Sequence, residues 1–221
     1  MSKPLEKIYG NGFFRSRDKY SWRAPIAAAI IQYIFPDARS TIDVGAAIGD
    51  LTEAFTKLGL SACAIEGSAA CIPYLKCSSS QMIIADIGQP LSEEVNQRLE
   101  EFAPDGRFDM LTCYEVLEHV EPECADALCD NLCALSDKLV TSACPPSTRM
   151  GRSGSVHHVN EQEAEYWESM FADRGYYRYN TVKHGRQINV ETMFKNCLAP
   201  FSHKYGLKAW VENHLYFEKR R

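Results

Sequence analysis

The chain has 221 residues, 45% hydrophobic and 24% charged, which suits a globular protein and excludes wholesale disorder, a collagen repeat or a coiled coil. A formal net charge of −5 argues against non-specific nucleic-acid binding, which needs a basic face. Nine cysteines, an odd number with no CxxC pair and no signal-peptide pattern before them, read as thiols of a reducing compartment, so the expected location is cytoplasmic. The longest apolar stretch, residues 24–35, contains Gln32 and is too short to span a bilayer.

Residues 1–24 are polar, aromatic and basic and are expected to form an N-terminal arm or lid, with Tyr9, Phe13, Arg15, Arg17 and Tyr20 as residues that could close over a ligand. The rest, 25–221, reads as one domain. Pro25 suits a first helical turn, and residues 27–35 read as a buried helix. Strand and helix then alternate. Strands are expected at 40–44, 61–65, 81–85, 108–113 and 138–144, and helices at 50–58, 69–77, 92–102 and 122–135. Cys129 and Cys133 lie one helical turn apart and read as small buried hydrophobes. Residues 147–156 are rich in Gly, Ser and Arg; they form a second candidate lid, in which Arg149 or Arg152 could meet an anionic group. Asn160 with Glu163 resembles a capping box opening a helix that ends at Gly175, with Trp167 and Phe171 read as core. Two strand-like runs follow, at 176–182 and 209–218. The alternation predicts an α/β protein with a parallel sheet and helices on both faces.

Ligands of such sheets bind beyond the carboxyl ends of the strands, at the switch point. Three strand ends carry suitable chemistry. The first strand runs into Gly45 and Gly49, where missing side chains allow close backbone approach. The second ends in Glu66, which can accept from both hydroxyls of a ribose; the third ends in Asp86-Ile87, where a carboxylate can accept from an adenine amino group and an apolar side chain can cover the ring. Asp43 and Asp50 flank the glycine turn and suit a cationic ligand better than the pyrophosphate of a dinucleotide, and the glycine spacing misses GxGxxG.

The fourth strand is followed by Glu115, Glu118 and His119, at i, i+3 and i+4. On one helical turn they would share a face. Two carboxylates and an imidazole form a half-shell for a divalent cation, better matched to Mn²⁺, Fe²⁺, Co²⁺ or Zn²⁺ than to Mg²⁺, with His157 or His158 as a further ligand. Two other roles stay open: His119 as a metal-free general base, or Glu118 and His119 as structural hydrogen-bonding groups.

The set Asp43-x-Gly45-x-Ala47-x-Gly49, Glu66, Asp86 and Phe108 to His119 resembles the class I S-adenosylmethionine-dependent methyltransferases. The resemblance covers about residues 25–145 and extends more weakly beyond. It implies a three-layer α/β/α sandwich built on a Rossmann-like seven-stranded sheet, mostly parallel, with an antiparallel last strand. It implies S-adenosyl-L-methionine as cofactor, met by Asp43, Gly45, Ala47, Gly49, Glu66, Asp86, Ile87 and Cys113. Ala47 stands where that family usually has a third glycine, and its methyl group narrows the space near the cofactor's amino-acid end.

The ExxEH…H pattern resembles two metal-dependent branches, one methylating catechol-type hydroxyls in ubiquinone biosynthesis and one the terminal 2′-hydroxyl of small RNAs. It implies catalytic roles for His119 and Glu118 and a divalent cation, Mn or Mg, on Glu115, Glu118, His119 and His158. Residues 156–176 also resemble methyltransferases found with glycan-modifying genes. The expected activity is O-methylation of a sugar, glycan or other small polar acceptor. RNA 2′-O-methylation, which the charge disfavours, and a non-catalytic cofactor-binding subunit are the alternatives. No membrane partner is expected, and oligomeric state is not legible.

Overall fold

A computed structural model of the chain describes residues 5–146, 157–178, 181–183, 186–188 and 214–220. The second candidate lid, 147–156, and the first part of the last strand-like run, 209–213, lie outside the described residues.

The central strand β1 (Ser40–Val44) is buried along its whole length, as a parallel strand covered on both faces must be. It pairs in parallel with β2 (Ser61–Glu66) on one side. On the other side lies β4 (Met110–Tyr114), and β3 (Met82–Ile84) flanks β2. β5 (Lys138–Ser142) continues the parallel array. The chain then adds β6 (Tyr176–Arg178), a two-stranded ribbon of β7 (Thr181–Lys183) and β8 (Arg186–Ile188), and β9 (His214–Lys219). β9 inserts antiparallel between β5 and β6, so the seven-stranded sheet runs β3-β2-β1-β4-β5-β9-β6.

Helices cover both faces. Before β1 come α1 (Leu5–Ile8), α2 (Asn11–Arg17) and α3 (Ala24–Ile34); α4 (Asp50–Lys57) follows β1. α3 and α4 bury Ile31, Leu51 and Phe55 against Met110, Val140 and Tyr216. The opposite face is covered by α5 (Glu93–Glu100), α6 (Ala125–Leu135) and α7 (Ala164–Ala172). Their Leu99, Leu128, Leu132, Trp167 and Phe171 pack on Ile42, Leu111, Leu139 and Phe217. Tyr176, on β6, donates its hydroxyl to the Cys133 and Ser136 carbonyls and ties the sheet edge to the end of α6.

Three local expectations change. The helix expected at 69–77 is a 3₁₀ segment, Ala69–Tyr74, because Pro73 lacks the amide a longer helix needs. α7 starts at Ala164, and Asn160 is not its cap. The Asn160 and Val159 amides instead both donate to the Glu118 carbonyl at 3.0 Å, so the segment before α7 braces the loop after β4. The N-terminal arm, for which the sequence assigned no elements, contains α1, α2 and a 3₁₀ turn, Asp18–Arg23.

Candidate active site at the switch point

The strand order reverses between β1 and β4, and a cavity of about 850 Å³ opens at that end of the sheet. Its walls come from the turns after β1, β2, β3 and β4, from α1, α2 and the 3₁₀ turn after them, and from His157 and His158. Of the expected N-terminal residues, Tyr9, Phe13, Arg17 and Tyr20 line it; Arg15 faces a separate shallow pocket beside Tyr74.

The glycine turn is built differently from the sequence reading. Gly45 (φ 72°) and Gly49 (φ 71°) are left-handed. A Cβ on Gly45 would collide with Val116 Cγ2, and one on Gly49 with Cys77 Sγ. The missing side chains therefore admit neighbouring protein, and Gly49 does not line the cavity. Gly45 does, through its backbone. Ala47 is also left-handed, at φ 51°. That conformation costs an alanine about 1–2 kcal/mol, while a glycine there gives back about 0.5–1 kcal/mol in chain entropy. Ala47→Gly should thus raise the melting temperature by about 2 °C for a chain of this size. Differential scanning calorimetry checks this; a lower melting temperature would mean that the methyl group's packing outweighs the strain.

Glu66 is the hub of the cofactor end. Its carboxylate accepts from the Ala47 amide at 2.9 Å and the Ser68 amide at 3.0 Å, joining the turns after β1 and β2. Burial pushes its pKa up to about 7 against the pull of those amides. Asp43 sits on the cavity floor and accepts from the Thr112 hydroxyl at 2.6 Å, across the β1–β4 register; burial raises its pKa to about 7. Asp86 accepts from the Gly88 amide at 2.9 Å, and Ile87 beside it lines the wall. Cys113, like Gly49, is an expected cofactor residue that does not line the cavity: its side chain is fully buried among Leu111, Leu117 and Cys129, because its position on β4 points into the layer of α6.

The turn after β4 is not a continuous α-helix. Glu115 is left-handed (φ 54°), and a 3₁₀ turn, Leu117–His119, follows. Glu115 is thereby turned away from its expected companions: its Oε1 accepts from the Ser142 hydroxyl at 2.8 Å, at the end of β5. Glu118, His119 and His158 do meet, each offering one ligand atom, all within 4.8 Å of one another. Glu118 is fully buried; the Glu118 and Cys144 amides approach its carboxylate without full hydrogen-bonding geometry. Desolvation, with Glu115 nearby, raises its pKa to about 8.

His119 Nδ1 lies 2.9 Å from the His157 carbonyl, which can only accept, so the proton of the neutral ring is on Nδ1 and Nε2 carries the lone pair. Burial lowers the His119 pKa to about 4, which keeps the ring neutral at physiological pH. His158 is held the same way: Nδ1–H donates to Glu161 Oε1 at 2.7 Å. Glu161 was missed in the sequence because its role depends on a contact with His158 that only the loop conformation creates.

A cavity of about 850 Å³ at the switch point, acidic groups at three strand ends and a seven-stranded sheet with an antiparallel insertion place the chain in the Rossmann-like α/β class. A family model described as a methyltransferase domain matches residues 14–179, so the chain belongs to that family and is an S-adenosylmethionine-dependent methyltransferase. Solved structures agree on the fold. The sugar N-methyltransferase KedS8 from a Streptoalloteichus species aligns at TM-score 0.61 and 15% identity, covering 95% of this chain and 92% of that one. Magnesium protoporphyrin IX methyltransferase from Synechocystis PCC 6803, with bound S-adenosylhomocysteine, aligns at TM-score 0.56 and 14% identity, covering 98% and 93%. The 1,6-didemethyltoxoflavin N1-methyltransferase from Burkholderia thailandensis aligns at TM-score 0.57 and 14% identity, covering 100% and 92%. No curated protein gives a significant sequence match. Among the described residues no helix is long and apolar enough to cross a membrane.

Proposed function

We propose that the protein methylates a hydroxyl group of a sugar or other small polar acceptor, with His119 as the group that receives the hydroxyl proton. The observation that carries this reading is the fixed tautomer of His119. His119 lines the cavity, and with Nδ1 committed to the His157 carbonyl its Nε2 stays unprotonated, able to act as a proton acceptor or a ligand. S-adenosylmethionine would supply the methyl group, and Nε2 would take the proton that the acceptor hydroxyl loses, leaving S-adenosylhomocysteine. Asp43, Gly45, Ala47, Glu66, Asp86 and Ile87 hold the cofactor: Glu66 takes the ribose, Asp86 and Ile87 the adenine, and the Asp43 carboxylate faces the cationic end. Residues 5–24 roof the cavity as an arm over the domain. The sugar N-methyltransferase among the structural neighbours supports a small polar acceptor.

A divalent cation fits the same turn. Glu118 presents a fully buried carboxylate, next to two histidines oriented by their own hydrogen bonds. Glu118, His119 and His158 would hold the ion; Glu115, bonded to Ser142, is outside that set. A bound cation would lower the pKa of an acceptor hydroxyl and orient it. Calorimetric titration of Mn²⁺ into protein saturated with S-adenosylhomocysteine separates the two versions. Binding that vanishes in Glu118→Ala supports the metal-assisted route. Absence of binding in the unaltered protein removes the cation and leaves His119 as a metal-free base.

A further inference from the structure

The loop after β3 forms one wall of the cavity through Asp86, Ile87, Gly88 and Gln89. It is a tight turn, in which the Gln89 amide donates to the Asp86 carbonyl at 3.1 Å. It lies directly against the segment that leads into α6. A Cβ on Gly88 would come within 3.1 Å of Val120 Cγ1 and 3.4 Å of Cys124 Cβ. Gln89 Nε2 reaches Cys124 Sγ at 3.4 Å, a weak bond to a thiol.

Asn131 makes the stronger tie. From the middle of α6 its Nδ2 donates to the Ile87 carbonyl at 2.8 Å and to the Gln89 carbonyl at 2.8 Å. Both partners are carbonyls, which only accept, so the NH₂ group must face the loop. Asparagine favours a helix interior less than alanine or leucine does, so what it brings to α6 is these two bonds rather than helix stability. One of them leads further. The Ile87 carbonyl and the Gly88 amide belong to a single peptide unit, which is planar. The oxygen of that unit accepts from Asn131, and its N–H donates to Asp86 Oδ1 at 2.9 Å. Asn131 and the Asp86 carboxylate are thus joined by two hydrogen bonds through one rigid group, and bonds chained in this way strengthen each other. With Oδ1 held there, the direction of the second Asp86 oxygen follows from where Asn131 holds the peptide.

We propose that Asn131 is a positioning residue for cofactor recognition. Through the Ile87–Gly88 peptide it aims the Asp86 carboxylate at the amino group of the cofactor's adenine, and so sets the preference for adenine over a base without that group. This rests on the assignment of Asp86 to the adenine. Asn131 does not line the cavity and acts only through the loop.

The test compares, by calorimetry, S-adenosylhomocysteine with its purine analogue, in which hydrogen replaces the adenine amino group. The unaltered protein should bind S-adenosylhomocysteine about tenfold tighter or more, because the analogue loses a charge-assisted hydrogen bond. Asp86→Ala removes the acceptor and gives the preference that remains without it. Asn131→Leu, close in shape but with no donor, should weaken S-adenosylhomocysteine about tenfold and the analogue no more than about threefold, bringing the preference down to the Asp86→Ala level. Asn131→Ala, which favours the helix, repeats the test with a smaller side chain. Melting curves confirm that the variants are folded; a role in packing alone would lower the melting temperature and leave the base preference unchanged. Equal losses on both ligands, or an undiminished preference in the Asn131 variants, would overturn the proposal while leaving Asp86 at the adenine. A preference that Asp86→Ala leaves unchanged, or none in the unaltered protein, would instead remove Asp86 from the adenine and the proposal with it.

Discussion

Glu66→Ala should lower the affinity for S-adenosylhomocysteine on the order of a thousandfold. A carboxylate that accepts from two ribose hydroxyls contributes about 1.5–3 kcal/mol per charge-assisted bond, and each 1.4 kcal/mol is about tenfold in affinity. The loss compounds here because the same carboxylate holds the turns after β1 and β2 together through the Ala47 and Ser68 amides. Glu66→Gln keeps the shape but turns an NH₂ group towards one of those amides, so it should lose about tenfold to a hundredfold. Calorimetry at pH 8 reads both. Affinities within threefold of the unaltered protein in both variants would show that the ribose is bound elsewhere.

The second large effect is on stability and runs with pH. Asp43 is buried, and its pKa of about 7 lies well above the 3.8 of an exposed aspartate. Glu66 is raised in the same way, from 4.5 to about 7. A carboxyl group that is more easily kept protonated in the folded state contributes its full share below the unfolded pKa. It loses that share as pH rises from there through the folded pKa. The cofactor-free protein should therefore melt lower at pH 8.5 than at pH 5.5. Asp43→Asn retains an oxygen that can accept from the Thr112 hydroxyl but carries no charge. It should be close to neutral for stability near pH 4 and stabilise the cofactor-free protein on the order of 3 kcal/mol at pH 8.5. On the proposed reading it should also weaken cofactor binding, because the cavity would then offer no carboxylate at residue 43 to the sulfonium and ammonium. Thermal melts across pH test the first part. A melting temperature that rises from pH 5.5 to 8.5 in the cofactor-free protein would contradict the buried-acid account.

The two effects share one cause. Asp43 and Glu66 are both carboxyl groups whose charged form is disfavoured by burial. On the proposed reading, a cofactor with two positive centres would offset that burial at Asp43. It should therefore stabilise most at high pH, where the carboxylates are charged.

The alternation of β-branched runs with amphipathic segments determined the parallel sheet, the two covering layers and the positions of Asp43, Glu66 and Asp86 at successive strand ends. Those features follow from periods of 2 and 3.6 residues and from strand ends converging at a switch point, all local or topological properties. The motif also brought Glu118, His119 and His158 into consideration together. What it could not determine was which way each side chain turns. One left-handed residue, Glu115, breaks the helix that would have aligned all three members of Glu115, Glu118 and His119, and sends the first to Ser142. Likewise the missing side chains of Gly45 and Gly49 are filled by Val116 and Cys77, from segments distant in sequence, rather than left for a ligand.

The tertiary structure alone decided that Tyr9 and Arg17 reach the cavity while Arg15, two residues from Arg17, does not. It alone decided that the segment after β5 fixes the His119 tautomer through the His157 carbonyl. These are meetings between elements far apart in the chain. Their geometry depends on how a short arm and a loop pack against the sheet, and no period in the sequence encodes it.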